Sequence, residues 1–179
     1  MRHIQYRSKG NSRREIYETA LRLVHRAHRS DALFIVNDHA DIAVSTGADG
    51  VHLGQDDLPL EHARKLLGPR KLIGISTHNL MQAKEAQAGG ADYIGFGPVF
   101  TTTTKEAGQE QGVGALAVVK EVVSIPLIAI GGITHATVRE VLRAGADGVA
   151  VISAVLSADD IKSAAREMIR EIQAAQDRP

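Results

Sequence analysis

Cysteine is absent from all 179 residues, which excludes disulfides, thiolate nucleophiles and cysteine metal ligands. Net charge is missing too. The 21 Lys and Arg residues balance 21 Asp and Glu residues, so there is no basic excess to hold nucleic acid or an anionic membrane. No apolar run approaches the ~18 residues of a membrane span. The first residues lack the charged-then-apolar pattern of a secretion signal. These absences predict a soluble, cytoplasmic protein. What is present is a 44% hydrophobic content, enough at this length for a core of its own. A single domain over 1–179 is expected.

Short apolar runs alternate with helical patterns from end to end. Strands are predicted at His3–Arg7, Leu33–Val36, Gly50–Leu53, Leu72–Ser76, Tyr93–Phe96, Pro126–Ile130 and Gly148–Val151. Helices are predicted near Ser12–Arg29, Asp41–Thr46, Leu60–Leu67, Leu80–Ala88, Gly114–Val123, Thr137–Ala144 and Asp159–Ala175. Ser12 followed by Glu15 has the pattern of a capping box. Strands that are apolar on both faces, such as Leu127-Ile128-Ala129-Ile130, belong to a parallel sheet covered by helices.

The corner Gly-Ala-Asp recurs at Gly47-Ala48-Asp49, Gly90-Ala91-Asp92 and Gly145-Ala146-Asp147. Each Gly suits a left-handed helix end, and a buried strand follows. One corner used three times favours a closed (β/α)8, or TIM, barrel over an open α/β sheet. Only seven strands can be counted, however, where that barrel has eight in ~250 residues. The shortage lies at the N-terminus, where the first βα unit of the barrel is expected to be lacking.

Four groups of residues carry candidate chemistry. Ile130-Gly131-Gly132-Ile133 follows one strand and Val151-Ile152-Ser153-Ala154 ends the next. Backbone amides there, with Ser153, can cup a phosphate. Along Gln5-Tyr6-Arg7-Ser8-Lys9, strand alternation places Gln5, Arg7 and Lys9 on one side, which reads equally as a row for a highly charged anion and as a solvated edge-strand face. Asp38 and Asp57 each follow a strand. Singly, each reads as a helix cap. Facing one gap together they call for a cation, and Mg²⁺ accepts one or two carboxylates plus phosphate oxygens. Asp56 competes with Asp57 for that place. Lastly, Thr101-Thr102-Thr103-Thr104-Lys105 opens a long polar loop, and Ser76-Thr77-His78 ends a strand at the same mouth. His78 reads either as an acid–base group or as a polar loop residue.

Taken in order, these segments resemble thiamine phosphate synthase. The residues that carry the resemblance are Gln5-Tyr6-Arg7-Ser8-Lys9-Gly10, Ile35-Val36-Asn37-Asp38, Gly50-Val51-His52-Leu53-Gly54-Gln55-Asp56-Asp57, Gly97-Pro98-Val99-Phe100 leading to Thr104-Lys105, Ile130-Gly131-Gly132-Ile133 and Ile152-Ser153-Ala154. The resemblance implies an Mg²⁺-dependent transferase on a (β/α)8 barrel. It joins 4-amino-5-hydroxymethyl-2-methylpyrimidine diphosphate to 4-methyl-5-(2-phosphoethyl)thiazole, giving thiamine phosphate and pyrophosphate. Gln5, Arg7, Lys9, Asn37, Ser76 and Lys105 would hold the pyrimidine diphosphate. Asp38 and Asp57 would hold Mg²⁺. Thr102, Thr103, Thr104, Gly132, Ile152 and Ser153 would hold the thiazole phosphate. Pyrophosphate would leave first, and the thiazole nitrogen would then attack the pyrimidine cation.

Thr101 stands where the family often has Pro, which alters the expected loop stiffness. The missing βα unit is expected to reflect a misassigned start or truncation, with low activity or association into a homo-oligomer as its consequence. Two other readings compete: a thiazole tautomerase of the same superfamily, and a non-catalytic module that binds thiamine phosphates. Retention of Gln5, Arg7, Lys9, Asp38, Asp57 and Lys105 favours the synthase over the tautomerase.

Overall fold

Strands and helices alternate as the apolar pattern predicts. The computed structural model describes residues 3–102 and 109–176. It is an α/β structure with seven parallel strands among the described residues. The chain divides into two compact units: Met1–Ser76 with Ala88–Tyr93, and Thr77–Gln87 with Ile94–Pro179.

The first unit begins with β1 (His3–Tyr6), α1 (Arg13–His28) and β2 (Leu33–Asn37). It continues through α2 (Ala40–Thr46), β3 (Gly50–Leu53) and α3 (Leu60–Leu67) to β4 (Leu72–Thr77). β1 pairs with β2 from His3↔Leu33 to Tyr6↔Val36, β2 with β3 through Val36↔Val51, and β3 with β4 through His52↔Gly74. Phe34, Ile35, Val36, Val51, Leu53 and Ile73 are sealed from solvent. Each contributes roughly 1.5–3 kcal/mol on burial. Consecutive buried residues in β2 and β3 mean that both strand faces are covered, as in other parallel sheets. β1 differs, for His3, Ile4 and Gln5 are exposed.

Ser12 and Glu15 close the capping box on α1, each satisfying a backbone N–H of the other. Gly47 ends α2 at φ 74°. With Gly90 at φ 88° and Gly145 at φ 103°, it realises the three left-handed corners anticipated from the repeat.

The second unit holds α4 (Leu80–Ala88) except Ala88, β5 (Tyr93–Phe96) except Tyr93, which belongs to the first unit, and then α5 (Gly112–Val122) and β6 (Leu127–Ile130). These are followed by α6 (Val138–Arg143), β7 (Gly148–Ala150), α7 (Ser153–Leu156) and α8 (Ile161–Gln176). β5 pairs with β6 through Gly95↔Ile128, and β6 with β7 through Ile130↔Ala150. Ile94, Phe96, Leu116, Val119, Leu127 and Ala129 form its core. The four-residue α7 was not anticipated, because one turn is too short for a 3.6-residue period to show. No helix of the described residues is long and apolar enough to cross a membrane.

Candidate functional site

In the first unit, β2 and β3 bring two carboxyl groups together. Asn37 is the last residue of β2, buried, and its side-chain amide donates to Asp38 Oδ1. Asp38 adopts φ 65°, a left-handed conformation that non-glycine residues take up infrequently. Its N–H donates to the His52 carbonyl at 2.9 Å, tying it to β3. Asp57 lies in the turn after β3, where its Oδ2 accepts the Gly54 N–H at 2.7 Å. The Asp38 and Asp57 carboxyls are within hydrogen-bonding reach of each other.

Burial raises the Asp38 pKa above the usual carboxylate range, and the hydrogen bond and charge of Asp57 add to the effect. Arg7 and His39 oppose that rise, which puts the Arg7 guanidinium close to the pair. The helix-cap alternative fails: α2 is capped by His39 and α3 by Pro59. Asp57, not Asp56, is the residue that meets Asp38. Two hard oxygen donors with a deficit of positive charge suit Mg²⁺, which takes few protein ligands and completes its shell with water and phosphate oxygens. Among the described residues no cluster of three or more His, Cys, Asp or Glu offers a fuller metal cage.

The predicted row of Gln5, Arg7 and Lys9 on one strand face needs correction. β1 stops at Tyr6, where its register with β2 ends, and the chain bends before Gly10. Strand alternation therefore does not carry through to Arg7 and Lys9. Gln5 remains in the strand, and its side chain hydrogen-bonds the hydroxyl of Tyr93. Arg7 acts instead from beyond the strand end, through its charge on Asp38.

Ser76 stands near the end of β4 and is fixed twice. Gln55 Nε2 donates to its carbonyl at 2.6 Å, and its Oγ lies 2.9 Å from His52 Nε2. His52 Nδ1 in turn lies 3.1 Å from Tyr93 Oη. Burial lowers the His52 pKa to about 4 and raises that of Tyr93, so both rings are neutral near pH 7. Gly74 makes room for them: a Cβ there would sit 2.1 Å from Tyr93 Cζ and 2.5 Å from His52 Nδ1. His52, Tyr93 and Gln55 were not singled out individually from sequence. The available signal was a polar residue inside an otherwise apolar strand, Val51-His52-Leu53.

In the second unit, the register Ile130↔Ala150 makes the loops after β6 and β7 leave at one level. Gly131 and Gly132 both have positive φ, 86° and 67°. A Cβ on Gly132 would meet the Thr101 carbonyl oxygen at 2.6 Å and that of Phe100 at 2.7 Å, so the start of the Thr-rich segment lies against this turn. Glu110 Oε2 accepts the Thr101 N–H at 3.0 Å and its hydroxyl at 2.5 Å. Ile152 caps α7 and is exposed, with Ser153 as the first helical residue. His78 Nδ1 donates to the Gly97 carbonyl at 2.6 Å, which is the polar loop role and fixes its ring. Thr102 is described at the edge of the segment; Thr103, Thr104 and Lys105 lie outside the described residues.

Comparison with known proteins identifies the family. The thiamine monophosphate synthase family matches residues 1–155. The thiamine-phosphate synthase of Chloroflexus aurantiacus is 48% identical over 176 residues, covering 98% of this chain and 81% of that protein. That of Shouchella clausii is 47% identical over 173 residues, covering 96% and 83%. A solved thiamine phosphate pyrophosphorylase from Pyrococcus furiosus superposes with a TM-score of 0.91 at 42% identity, over 97% of this chain and 83% of that one. A 3-hexulose-6-phosphate synthase structure, at 21% identity and TM-score 0.73, shares the fold.

Proposed function

The chain belongs to the thiamine monophosphate synthase family, and from that premise we propose how its residues divide the work of making thiamine phosphate. The substrates are 4-amino-5-hydroxymethyl-2-methylpyrimidine diphosphate and 4-methyl-5-(2-phosphoethyl)thiazole. The products are thiamine phosphate and pyrophosphate. The contact between Asp38 and Asp57 beside Arg7 carries the reading, because the Mg²⁺ that accompanies a diphosphate supplies the positive charge this pair needs, while Arg7 faces the phosphate oxygens.

Residues of the first unit take the pyrimidine diphosphate. Asp38 and Asp57 hold Mg²⁺, whose chemistry, when bound, is to neutralise charge on the departing pyrophosphate. Arg7 grips phosphate oxygens with its planar fork, and Lys9 adds a point charge. Gln5, Asn37 and Ser76 orient the molecule through neutral hydrogen bonds, and Lys105 is assigned to the same substrate from the sequence. Residues of the second unit take the thiazole phosphate: Gly132 through its backbone, in a turn of positive φ, together with Ile152 and Ser153, while Thr102, Thr103 and Thr104 are assigned to the same substrate from the sequence.

No protein nucleophile is required. Departure of pyrophosphate leaves a cation on the pyrimidine methylene, stabilised by the ring's amino group, and the thiazole nitrogen supplies the electron pair. The residues named serve by position and charge, which is how most electrostatic catalysis operates. The strands are assigned to a (β/α)8 barrel, of which the described residues supply seven staves. A thiazole tautomerase has no use for a part-buried carboxylate pair beside a guanidinium, so the synthase reading is preferred.

Calorimetric titration with the pyrimidine diphosphate tests the division of work. Binding is expected to need Mg²⁺ and to be lost in Asp38→Asn, while the thiazole phosphate binds with or without the metal. Metal-independent binding of the diphosphate would overturn the assignment of Asp38 and Asp57.

A further inference from the structure

Inside the first unit, four side chains from four strands form an unbroken polar line: Gln5 on β1, Tyr93 on β5, His52 on β3 and Ser76 on β4. Only Gln5 and Ser76 have a part in the reading above. Tyr93 and His52 are buried, at 8% and 6% exposure, and no role in that reading falls to them. Buried polar groups of this kind lower stability unless they are fully paired. These are paired, and the spacing Ser76–His52–Tyr93 is 2.9 Å and then 3.1 Å.

The direction of the line follows from counting hydrogens. Neutral imidazole has one N–H and one lone-pair nitrogen. The phenol has one hydrogen. An anionic ligand on Ser76 takes the hydroxyl hydrogen, so Ser76 Oγ accepts from His52 Nε2–H and the ring lone pair stays on Nδ1, facing the Tyr93 hydroxyl. Tyr93 therefore gives its own hydrogen to His52 Nδ1 and accepts from Gln5. With its oxygen so engaged, Ser76 has its hydroxyl hydrogen free to point outward.

We infer that Gln5, Tyr93 and His52 form a directed hydrogen-bond relay that holds Ser76 as a hydrogen-bond donor to the pyrimidine diphosphate. The inference rests on the assignment of Ser76 to that substrate. Tyr93 and His52 are positioning residues, acting through Ser76. Gly74 is the space that lets both rings sit in line, and Gln55 holds the Ser76 backbone while the relay orients the hydroxyl. The opposite polarity would turn the Ser76 hydrogen inward and leave an oxygen lone pair facing an anionic ligand.

Nitrogen-15 NMR of the His52 ring in the wild-type chain decides the polarity. The expected result is a protonated Nε2 and a lone pair on Nδ1, with Tyr93→Phe losing that preference while keeping its folded amide spectrum. Tyr93→Phe is expected to raise KM for the pyrimidine diphosphate about tenfold, the size of one lost hydrogen bond, with KM for the thiazole phosphate unchanged. His52→Gln, which can keep an N–H near the Nε2 position, is expected to recover most of the affinity that His52→Ala loses. A wild-type ring protonated on Nδ1 would overturn the relay whatever the kinetics. Unchanged diphosphate affinity in Ser76→Ala would instead remove Ser76 from that substrate, and the ring tautomer would still report on the relay by itself.

Discussion

Asp92 holds Ile73 by both of its backbone hydrogen-bonding groups: Asp92 Oδ2 accepts the Ile73 N–H at 2.7 Å, and the Asp92 N–H donates to the Ile73 carbonyl at 2.9 Å. The same pair of bonds, at the same two distances, joins Asp49 to Phe34 and Asp147 to Leu127. Each carboxylate also takes a basic side chain from an earlier helix: Arg64 for Asp92, His28 for Asp49 and Lys120 for Asp147. The repeated Gly-Ala-Asp corner is therefore a fastening between the entry of one strand and the entry of another. Asp92→Ala is expected to lower unfolding stability by about 2 kcal/mol, since it orphans a part-buried N–H, whereas the partly exposed Arg64 pair adds only ~0–1 kcal/mol. Urea unfolding measures this, and an unchanged midpoint would show that water replaces the carboxylate without loss.

The buried imidazole makes stability depend on pH. His52 is neutral when folded, with its pKa lowered to about 4 by burial, against the ordinary value of 6.5. Between these values the unfolded chain binds the extra proton and the folded chain does not, so stability falls as pH drops through that window. The loss is on the order of 3 kcal/mol by pH 4. His52→Gln should remove most of this dependence. If urea unfolding of that variant keeps the wild-type slope between pH 6.5 and pH 4, another group is responsible.

Asp57→Ala separates the two anion sites. It deletes one metal ligand and removes what Asp57 adds to the burial that raises the Asp38 pKa. Mg²⁺-dependent turnover should fall at least about tenfold, equal to ~1.4 kcal/mol or more. Thiazole phosphate binding should be spared. Full turnover in the variant would remove Asp57 from the metal site.

Gly132→Ala is the converse test. At φ 67°, with carbonyl oxygens of Phe100 and Thr101 closer than 3 Å to any Cβ, the turn has no room for a methyl group. The variant should lose thiazole phosphate affinity and keep Mg²⁺-dependent binding of the pyrimidine diphosphate. Equal losses of both would indicate general unfolding, which circular dichroism would register.

Much of this was legible in the residues themselves. Leu127-Ile128-Ala129-Ile130 and its counterparts are apolar on both faces, and only a helix-covered parallel sheet explains that. Asp38 and Asp57 could be paired from chain order because consecutive βα units place successive strands side by side. Two things were not legible. The end of β1 at Tyr6 is set by where pairing with β2 stops, a tertiary fact, so the row from Gln5 to Lys9 looked longer than it is. The relay through His52 and Tyr93 joins residues 41 positions apart whose meeting depends on the absent side chain of Gly74.

The central claim is that this chain condenses the two substrates. The most direct measurement mixes the purified chain with the pyrimidine diphosphate, the thiazole phosphate and Mg²⁺, then follows thiamine phosphate and pyrophosphate together. The account predicts both products in equal amounts, formed only when Mg²⁺ is present. Binding of the ligands with neither product formed, or product formed equally well after the metal is chelated, would contradict it.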